Sequence, residues 1–259
     1  MRPLGRAWRT LATHLCFFVY IPLGAVLGLP AWLGLRLLIR RQDQARVGKR
    51  LLGRWYAFFT WLMRVSGVLE VEIVDREALR GGGRFIVANH PTLIDFVLLA
   101  SVIPDADCLV KASLLAHPAM RWAVLMGGYI PNDRGQETLE LCRRSLAAGN
   151  SLVVFPEGTR SVPGEALRFQ RGAAQLALRS AKRLTLLAID STPSSLDKHG
   201  RWWLAPKDKV RMRIRPLGEM DMGAVLAARG GEAALAAREL TAVLERRYNE
   251  ERERGSFGS

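Results

Sequence analysis

A histidine and an aspartate stand five positions apart, His90 and Asp95, in the segment FIVANHPTLID at 85–95. An imidazole oriented by a carboxylate is a general base: the acid accepts one ring N–H, fixes the tautomer and stabilises the imidazolium formed on proton uptake. Five residues turn about 140° around a helix, so the two cannot share one helical face. The pairing requires His90 in a loop and Asp95 in the first helical turn, reaching back. Thr92 is of a type that caps the helix that follows. Backbone N–H groups at that helix start would then hold a developing oxyanion. A second group lies in SLVVFPEGTR at 151–160, where an apolar run ends in Pro156, Glu157, Gly158, Thr159 and Arg160. Gly158 permits a positive φ or a close backbone approach. Arg160 offers a planar fork of donors to phosphate or carboxylate. Glu157 either orients Arg160 or holds an acceptor hydroxyl near His90.

Such residues need a scaffold that brings two strand ends together. After Gly67 short apolar runs alternate with helical patterns. Strands are predicted at 69–74, 84–88, 108–110, 128–131, 151–155, 184–190 and 209–216, and helices at 93–102, 118–126, 137–147 and 171–181. This alternation predicts an α/β fold with a mixed, largely parallel sheet flanked by helices. A last helix is expected at 232–254, fraying into the polar tail GSFGS. In the strand at 209–216, Lys209, Arg211, Arg213 and Arg215 alternate with Val210, Met212 and Ile214, so one face is basic. That face suits solvent or anionic headgroups.

The N-terminal part reads differently. Thr10 to Leu35 contains no acid, lysine or arginine. As one helix it would reach about 39 Å, more than the hydrocarbon core of a bilayer. Pro22 and Pro30 argue against one straight helix. Arg2, Arg6 and Arg9 precede the stretch, and Arg36, Arg40, Arg41 and Arg46 follow it. Basic flanks on both sides favour both ends in the cytoplasm, hence a kinked or re-entrant hairpin. The segment 51–67 sets Trp55, Tyr56, Phe58, Phe59 and Trp61 between Arg54 and Arg64. It suits either the headgroup boundary or a core helix. The expected organisation is a membrane-associated helical anchor over 1–66 and an α/β catalytic domain over 67–259.

Composition narrows the partners. The 259-residue chain is 49% hydrophobic, which excludes intrinsic disorder. Three scattered cysteines, Cys16, Cys108 and Cys142, exclude a disulfide framework or zinc ribbon. The net charge of +14, with 32 of 38 basic residues arginine, fits nucleic acid or an anionic membrane surface. Single-stranded nucleic acid would call for aromatic residues among the basic ones. The basic strand has none, and the aromatics gather near the apolar stretch. Anionic lipid is therefore the expected partner, and nucleic acid is not.

Together, NHPTLID at 89–95 and FPEGTR at 155–160 resemble the glycerolipid acyltransferase family. The resemblance runs from about Gly67 to Leu217. It implies that His90 is the base and Asp95 its partner, and that Glu157, Gly158, Thr159 and Arg160 bind the acceptor. Lys111, in VKASLL, matches a lysine the family often carries after its second core strand. FQRG at 169–172 matches a further family block. Two features depart from the pattern. The family's second motif is of the form G-x-F/I-x-x-R, whereas GGYIPNDR places Arg134 one residue late. The fourth motif carries a proline that LTLLAID lacks. The resemblance implies an O-acyltransferase that moves a fatty acyl group from acyl-CoA or acyl-carrier protein to a lysophospholipid such as 1-acyl-sn-glycerol-3-phosphate. It implies no metal and no cofactor beyond that acyl co-substrate. The location implied is the inner (cytoplasmic) membrane, with the catalytic domain facing the cytoplasm. Absence of a nucleophilic Ser or Cys favours direct transfer. The two departures leave a specialised or carrier-bound acceptor open.

Overall fold

The computed structural model describes residues 3–196 and 205–256. Arg2 and the last residues of the GSFGS tail, 257–259, lie outside the described residues. Seven strands form one sheet: β1 (Leu69–Ile73), β2 (Phe85–Ala88), β3 (Ala106–Val110), β4 (Ile130–Pro131), β5 (Ser151–Val154), β6 (Arg183–Thr192) and β7 (Val210–Asp221). Their order is β1-β7-β6-β2-β5-β3-β4. Every neighbouring pair is parallel except β6 and β7. The sheet is thus mixed and largely parallel, as the alternation of elements predicted. Eight helices accompany it among the described residues: α1 (Pro3–Leu38), α2 (Gln44–Val65), α3 (Asp95–Val102), α4 (Arg121–Gly127), α5 (Gln136–Ala147), α6 (Arg171–Ser180), α7 (Met222–Ala227) and α8 (Ala233–Glu251).

The strand at 209–216 continues to Asp221, past the Pro216 at which the sequence reading stops it. Its register against β6 steps from Leu186↔Gly218 to Leu187↔Pro216. Leu217 is the extra residue of a bulge, and a bulge tolerates a proline that an unbroken ladder would not.

Side chains alternate across the sheet and build two cores. Ile86, Ala88, Val153, Leu187 and Ile189 face the layer made by α1 to α4. Phe85, Val87, Leu152, Val154 and Leu186 face the layer made by α5 to α8. β2 is buried on both faces, each residue at 0% exposure, as a central parallel strand must be. It delivers the NHPTLID loop at its carboxyl end.

α1 corrects the expected hairpin: it is one helix through Pro22 and Pro30. The two carbonyls that these prolines leave without N–H partners belong to Phe18 and Val26, which are 71% and 70% exposed. Pro22 and Pro30 are themselves exposed, so neither ring presses on the core. The exposed face of α1 carries Leu11, Leu15, Phe18, Val26, Leu29 and Leu33 at helical spacing. α1 is long and apolar enough to cross a membrane, and only 17% of its most apolar window is buried. Its other face packs on α2, where Tyr20 stacks between Trp55 and Phe59 at ring distances of 5.8 and 4.1 Å. α2 is amphipathic. It buries Leu52, Tyr56, Phe59 and Met63 and leaves Leu51, Phe58, Trp61 and Val65 exposed beside the α1 stripe. α2 meets α4 backbone to backbone, since a Cβ at Gly48 would lie 1.9 Å from the Met126 carbonyl oxygen. Beside it the Lys49 ammonium is buried against Asp107, 2.8 Å away, and Asp107 also accepts from the Ser145 hydroxyl at 2.6 Å.

The basic face of β7 is not a free cationic strip. β1 lies beside it in register, pairing Glu70 with Arg211 and Glu72 with Arg213. Lys209 and Arg211 approach Glu70 at 3.6 and 3.7 Å, and Arg213 approaches Glu72 at 3.3 Å. The acids that neutralise it lie some 140 residues upstream, beyond the reach of any local reading of charge.

Candidate active site

The parallel strands end along one edge of the sheet, and the motif residues collect there. Asn89 locks the end of β2 to β6: its side-chain amide donates to the Ile189 carbonyl and accepts from the Ile189 N–H, both at 2.8 Å. His90 follows in the loop and Asp95 opens α3, the arrangement that their spacing demands. His90 Nδ1 lies 2.8 Å from Asp95 Oδ2. With Nδ1 so engaged, Nε2 is the nitrogen that faces an incoming hydroxyl. The histidine side chain is 22% exposed while Asp95 is fully buried. Phe155 stacks on the imidazole, ring centres 4.2 Å apart and planes 20° from parallel.

Asp95 does more than orient the ring. Its Oδ2 also accepts from the Thr92 N–H at 2.8 Å, and its Oδ1 accepts from the Thr92 hydroxyl at 2.5 Å. Two expectations change as a result. Thr92 is not a helix cap: α3 begins at Asp95, two residues later than expected, with Ile94 in the cap position and no side-chain cap. The three N–H groups before α3 are also already engaged, which leaves only those of its first turn to an oxyanion. Thr92 N–H goes to Asp95, Leu93 N–H to the Leu196 carbonyl at 3.0 Å, and Ile94 N–H to the Thr92 hydroxyl at 3.3 Å. The turn is consumed by its own closure, which is what makes the aspartate rigid.

Glu157, Gly158, Thr159 and Arg160 leave the end of β5, next to β2 in the sheet. Gly158 has φ +68°, the left-handed region, and a Cβ there would meet nothing nearer than 3.6 Å. Conformation, not space, demands the glycine. Glu157 is buried and does not orient Arg160: its Oε1 accepts from the His90 N–H at 2.8 Å and from the Ser161 hydroxyl at 3.0 Å. Burial pushes its carboxyl up from the ordinary glutamate range, and these two donors pull it partly back. Arg160 donates to the Leu196 carbonyl at 2.9 Å, the same oxygen that holds Leu93. Thr159 is exposed beside it.

Lys111 lies at the same edge, immediately after β3, and is exposed. Arg134 follows β4, three strands from β2 in the sheet. It sits in the turn before α5, half exposed, with its guanidinium on Glu137 at 2.9 Å. Ser161, which bonds both Glu157 and the His90 carbonyl, was not signalled by the motifs. No spacing marks it, because its role depends on backbone atoms of a distant loop. Asp190, at the end of β6, is another buried acid near the edge. Burial pushes its carboxyl up to about 6, although Arg215 lies 3.4 Å away and pulls it down.

Beside this edge the α1–α4 layer encloses an apolar cavity of about 440 Å³. Its walls include Leu93, Ile94, Phe96 and Val97, the residues on either side of Asp95, together with Tyr20 and Trp55 from the helix pair. A volume in the range of small-molecule sites, lined almost wholly by carbon, suits an alkyl chain.

A His–Asp pair thus stands at the carboxyl edge of a largely parallel sheet, next to an EGTR turn and an apolar cavity. Residues 70–190 match the family model described as Acyltransferase. The chain is 28% identical over 158 residues to the 1-acyl-sn-glycerol-3-phosphate acyltransferase of Saccharomyces cerevisiae, covering 56% of this chain and 52% of that protein. It is 35% identical over 151 residues to the lyso-ornithine lipid O-acyltransferase of Pseudomonas aeruginosa, covering 56% and 55%. The chain thus spans about half the length of these curated relatives. The fold is that of the crystal structure of the 1-acyl-sn-glycerophosphate acyltransferase PlsC from Thermotoga maritima. The TM-score is 0.66 at 21% identity, covering 95% of this chain and 97% of that one.

Proposed function

We propose that the protein transfers a fatty acyl group from a thioester, acyl-CoA or acyl-carrier protein, to the free hydroxyl of a lysophospholipid such as 1-acyl-sn-glycerol-3-phosphate. The observation that carries this reading is the His90–Asp95 pair, 2.8 Å apart, next to an apolar cavity whose wall includes the residues flanking Asp95. His90 Nε2 takes the hydroxyl proton as the oxygen attacks the thioester carbonyl. Asp95 stabilises the imidazolium. The C–S bond of the tetrahedral intermediate then breaks, and the departing thiolate takes the proton back from His90. Arg160 and Lys111, at the same edge, supply positive charge to an acceptor phosphate.

The reading includes the membrane. The first turns of α1 are tied to the domain: Arg6 donates to the Ala205 carbonyl at 3.2 Å, Arg9 to that of Lys207, and the Trp8 indole to that of Ser66 at 3.0 Å. A helix held at its start and along one face lies on the domain rather than leaving it. Its outer stripe enters the hydrocarbon of the inner membrane, and the catalytic edge faces the cytoplasm. The acyl cavity then borders the lipid.

A second reading keeps the chemistry and changes the acceptor to a lysolipid without the glycerol phosphate headgroup. Two observations favour it: Arg134 is occupied by Glu137 at 2.9 Å, and the match to the lyso-ornithine lipid O-acyltransferase reaches 35% identity. Purified protein, labelled acyl donor and a panel of lysolipids decide between them. Changing His90→Ala is expected to lower transfer by at least about 10²-fold with any acceptor. Near-wild-type transfer by that variant would overturn both readings.

A further inference from the structure

We propose that Ser161 is a positioning residue for His90, acting through Glu157, and that Glu157 serves the backbone of the base rather than the acceptor. The proposal rests on the reading of His90 as the base. Three hydrogen bonds close a ring around the histidine backbone. His90 N–H donates to Glu157 Oε1 at 2.8 Å, the Ser161 hydroxyl donates to the same oxygen at 3.0 Å, and Ser161 N–H donates to the His90 carbonyl at 2.7 Å. Both peptide groups around the His90 Cα are therefore anchored to one five-residue segment after β5, residues 157–161. The ring nitrogen is fixed independently by Asp95, and the ring plane by Phe155.

The chemistry of each part follows from its partners. Glu157 is 8% exposed and faces a donor pair on one oxygen, so it acts as a rigid strut. Its Oε1 accepts from both donors, so this oxygen is turned to the His90 backbone and not to Arg160. Ser161 supplies the donor that orients the strut and, from its own backbone, the clamp on the other side of His90. On its β5 side the loop of β2 has no neighbouring strand at this point, since β5 ends at Val154 opposite Val87, and the ring takes the place of a ladder there. A base that must meet a hydroxyl within hydrogen-bond reach loses rate steeply when it drifts, by as much as about 10²-fold for 1 Å.

The test is steady-state kinetics of the full chain in lipid vesicles, with thermal stability measured in parallel. Ser161→Ala is expected to lower kcat by about 10-fold, leaving KM for donor and acceptor within about twofold. Ser161→Thr, which keeps the hydroxyl, is expected to restore most of the rate. If the alanine variant does not fold, Ser161→Cys, with similar volume and a weak donor, reads the same bond and is expected to show the same kcat loss. An unchanged kcat in a folded Ser161→Ala or Ser161→Cys protein overturns the proposal. So does a rise in KM at constant kcat, which would make Ser161 a substrate-binding residue. His90→Ala, run alongside, separates the two levels: full activity there removes the underlying reading, whereas an inactive His90→Ala beside a fully active Ser161→Ala removes the positioning role alone.

Discussion

The two faces of the sheet are built from the same strands and packed in opposite ways. On the face covered by α5 to α8, the core is filled: Ala173, Ala174 and Ala177 of α6 and Ala237 of α8 share it with Leu240, Leu244 and Tyr248 of α8, all buried. The outside of that layer is charged, with pairs such as Arg144–Glu140 and Arg229–Glu239. On the face covered by α1 to α4, aromatic rings bridge the helices, a 440 Å³ space stays open, and the outer surface is leucine, phenylalanine and tryptophan. One layer closes the sheet against water. The other leaves room inside and oil outside. An enzyme that must keep an alkyl chain out of water while reacting at its polar end needs this asymmetry, with the base at the seam.

The largest effect expected from breaking the comparison is at the seam. Asp95→Asn keeps the volume but cannot accept from His90, the Thr92 N–H and the Thr92 hydroxyl together. A fall in kcat of about 10²- to 10⁴-fold is expected. Thermal stability should drop as well, because a buried donor loses its acceptor at about 1–3 kcal/mol.

A matched pair tests the faces themselves. Ala123→Phe adds a ring to the wall of the cavity. It is expected to shift acyl preference toward shorter chains with Tm nearly unchanged. Ala177→Leu adds bulk where exposure is 0% and the packing is tight. Overpacking there costs about 1–3 kcal/mol, which lowers Tm by about 2–12 °C in a chain of this size and leaves chain-length preference alone. Equal Tm losses in the two variants would mean that the first face is as closed as the second.

The smallest effect concerns Asp190, where burial outweighs the pull of Arg215 and the carboxyl is pushed up to about 6. The folded state then binds the proton more tightly than the unfolded one. Stability from this group is therefore present at low pH and is lost as pH rises from about 4 through about 6. Asp190→Asn, which cannot ionise, is expected to gain about 1–3 kcal/mol over the wild type at pH 8, an advantage that shrinks toward pH 4. Melting curves at both pH values check the sign, with Arg215, Arg213 and Glu251 as the charges that face the group. A gain that is the same at both ends would place its origin elsewhere than in titration.

Strand positions were legible because buried parallel strands are short apolar runs with turn residues at their ends, and all seven predicted runs are strands. His90, Asp95 and the EGTR turn were legible because their spacing is local. Three features were not. The proline rule misjudged α1, since it assumes that a freed carbonyl must find a partner against the core, and here the residues that carry those carbonyls are exposed. The basic face of β7 seemed free because its counter-charges, Glu70 and Glu72, come from a strand far upstream. Ser161 and the true partner of Glu157 were hidden for the same reason, since their bonds close on the backbone of a loop 67 to 71 residues away. What distance in the chain separates, composition and spacing cannot join.

The last helix adds a consequence for synthesis. The Tyr248 hydroxyl is shared between the carbonyls of Val87 and Leu187, at 2.9 and 3.0 Å, so it ties the strand that carries His90 to its neighbour β6. Both neighbours of β2 begin more than sixty residues later, and this tie comes 161 residues later. At about 5–20 residues per second, translation needs on the order of ten seconds to supply it. During that interval α1 and α2 have already left the ribosome with their apolar stripe uncovered. Nascent chains of this protein therefore carry the apolar stripe of the helix pair for seconds before the catalytic loop can be finished.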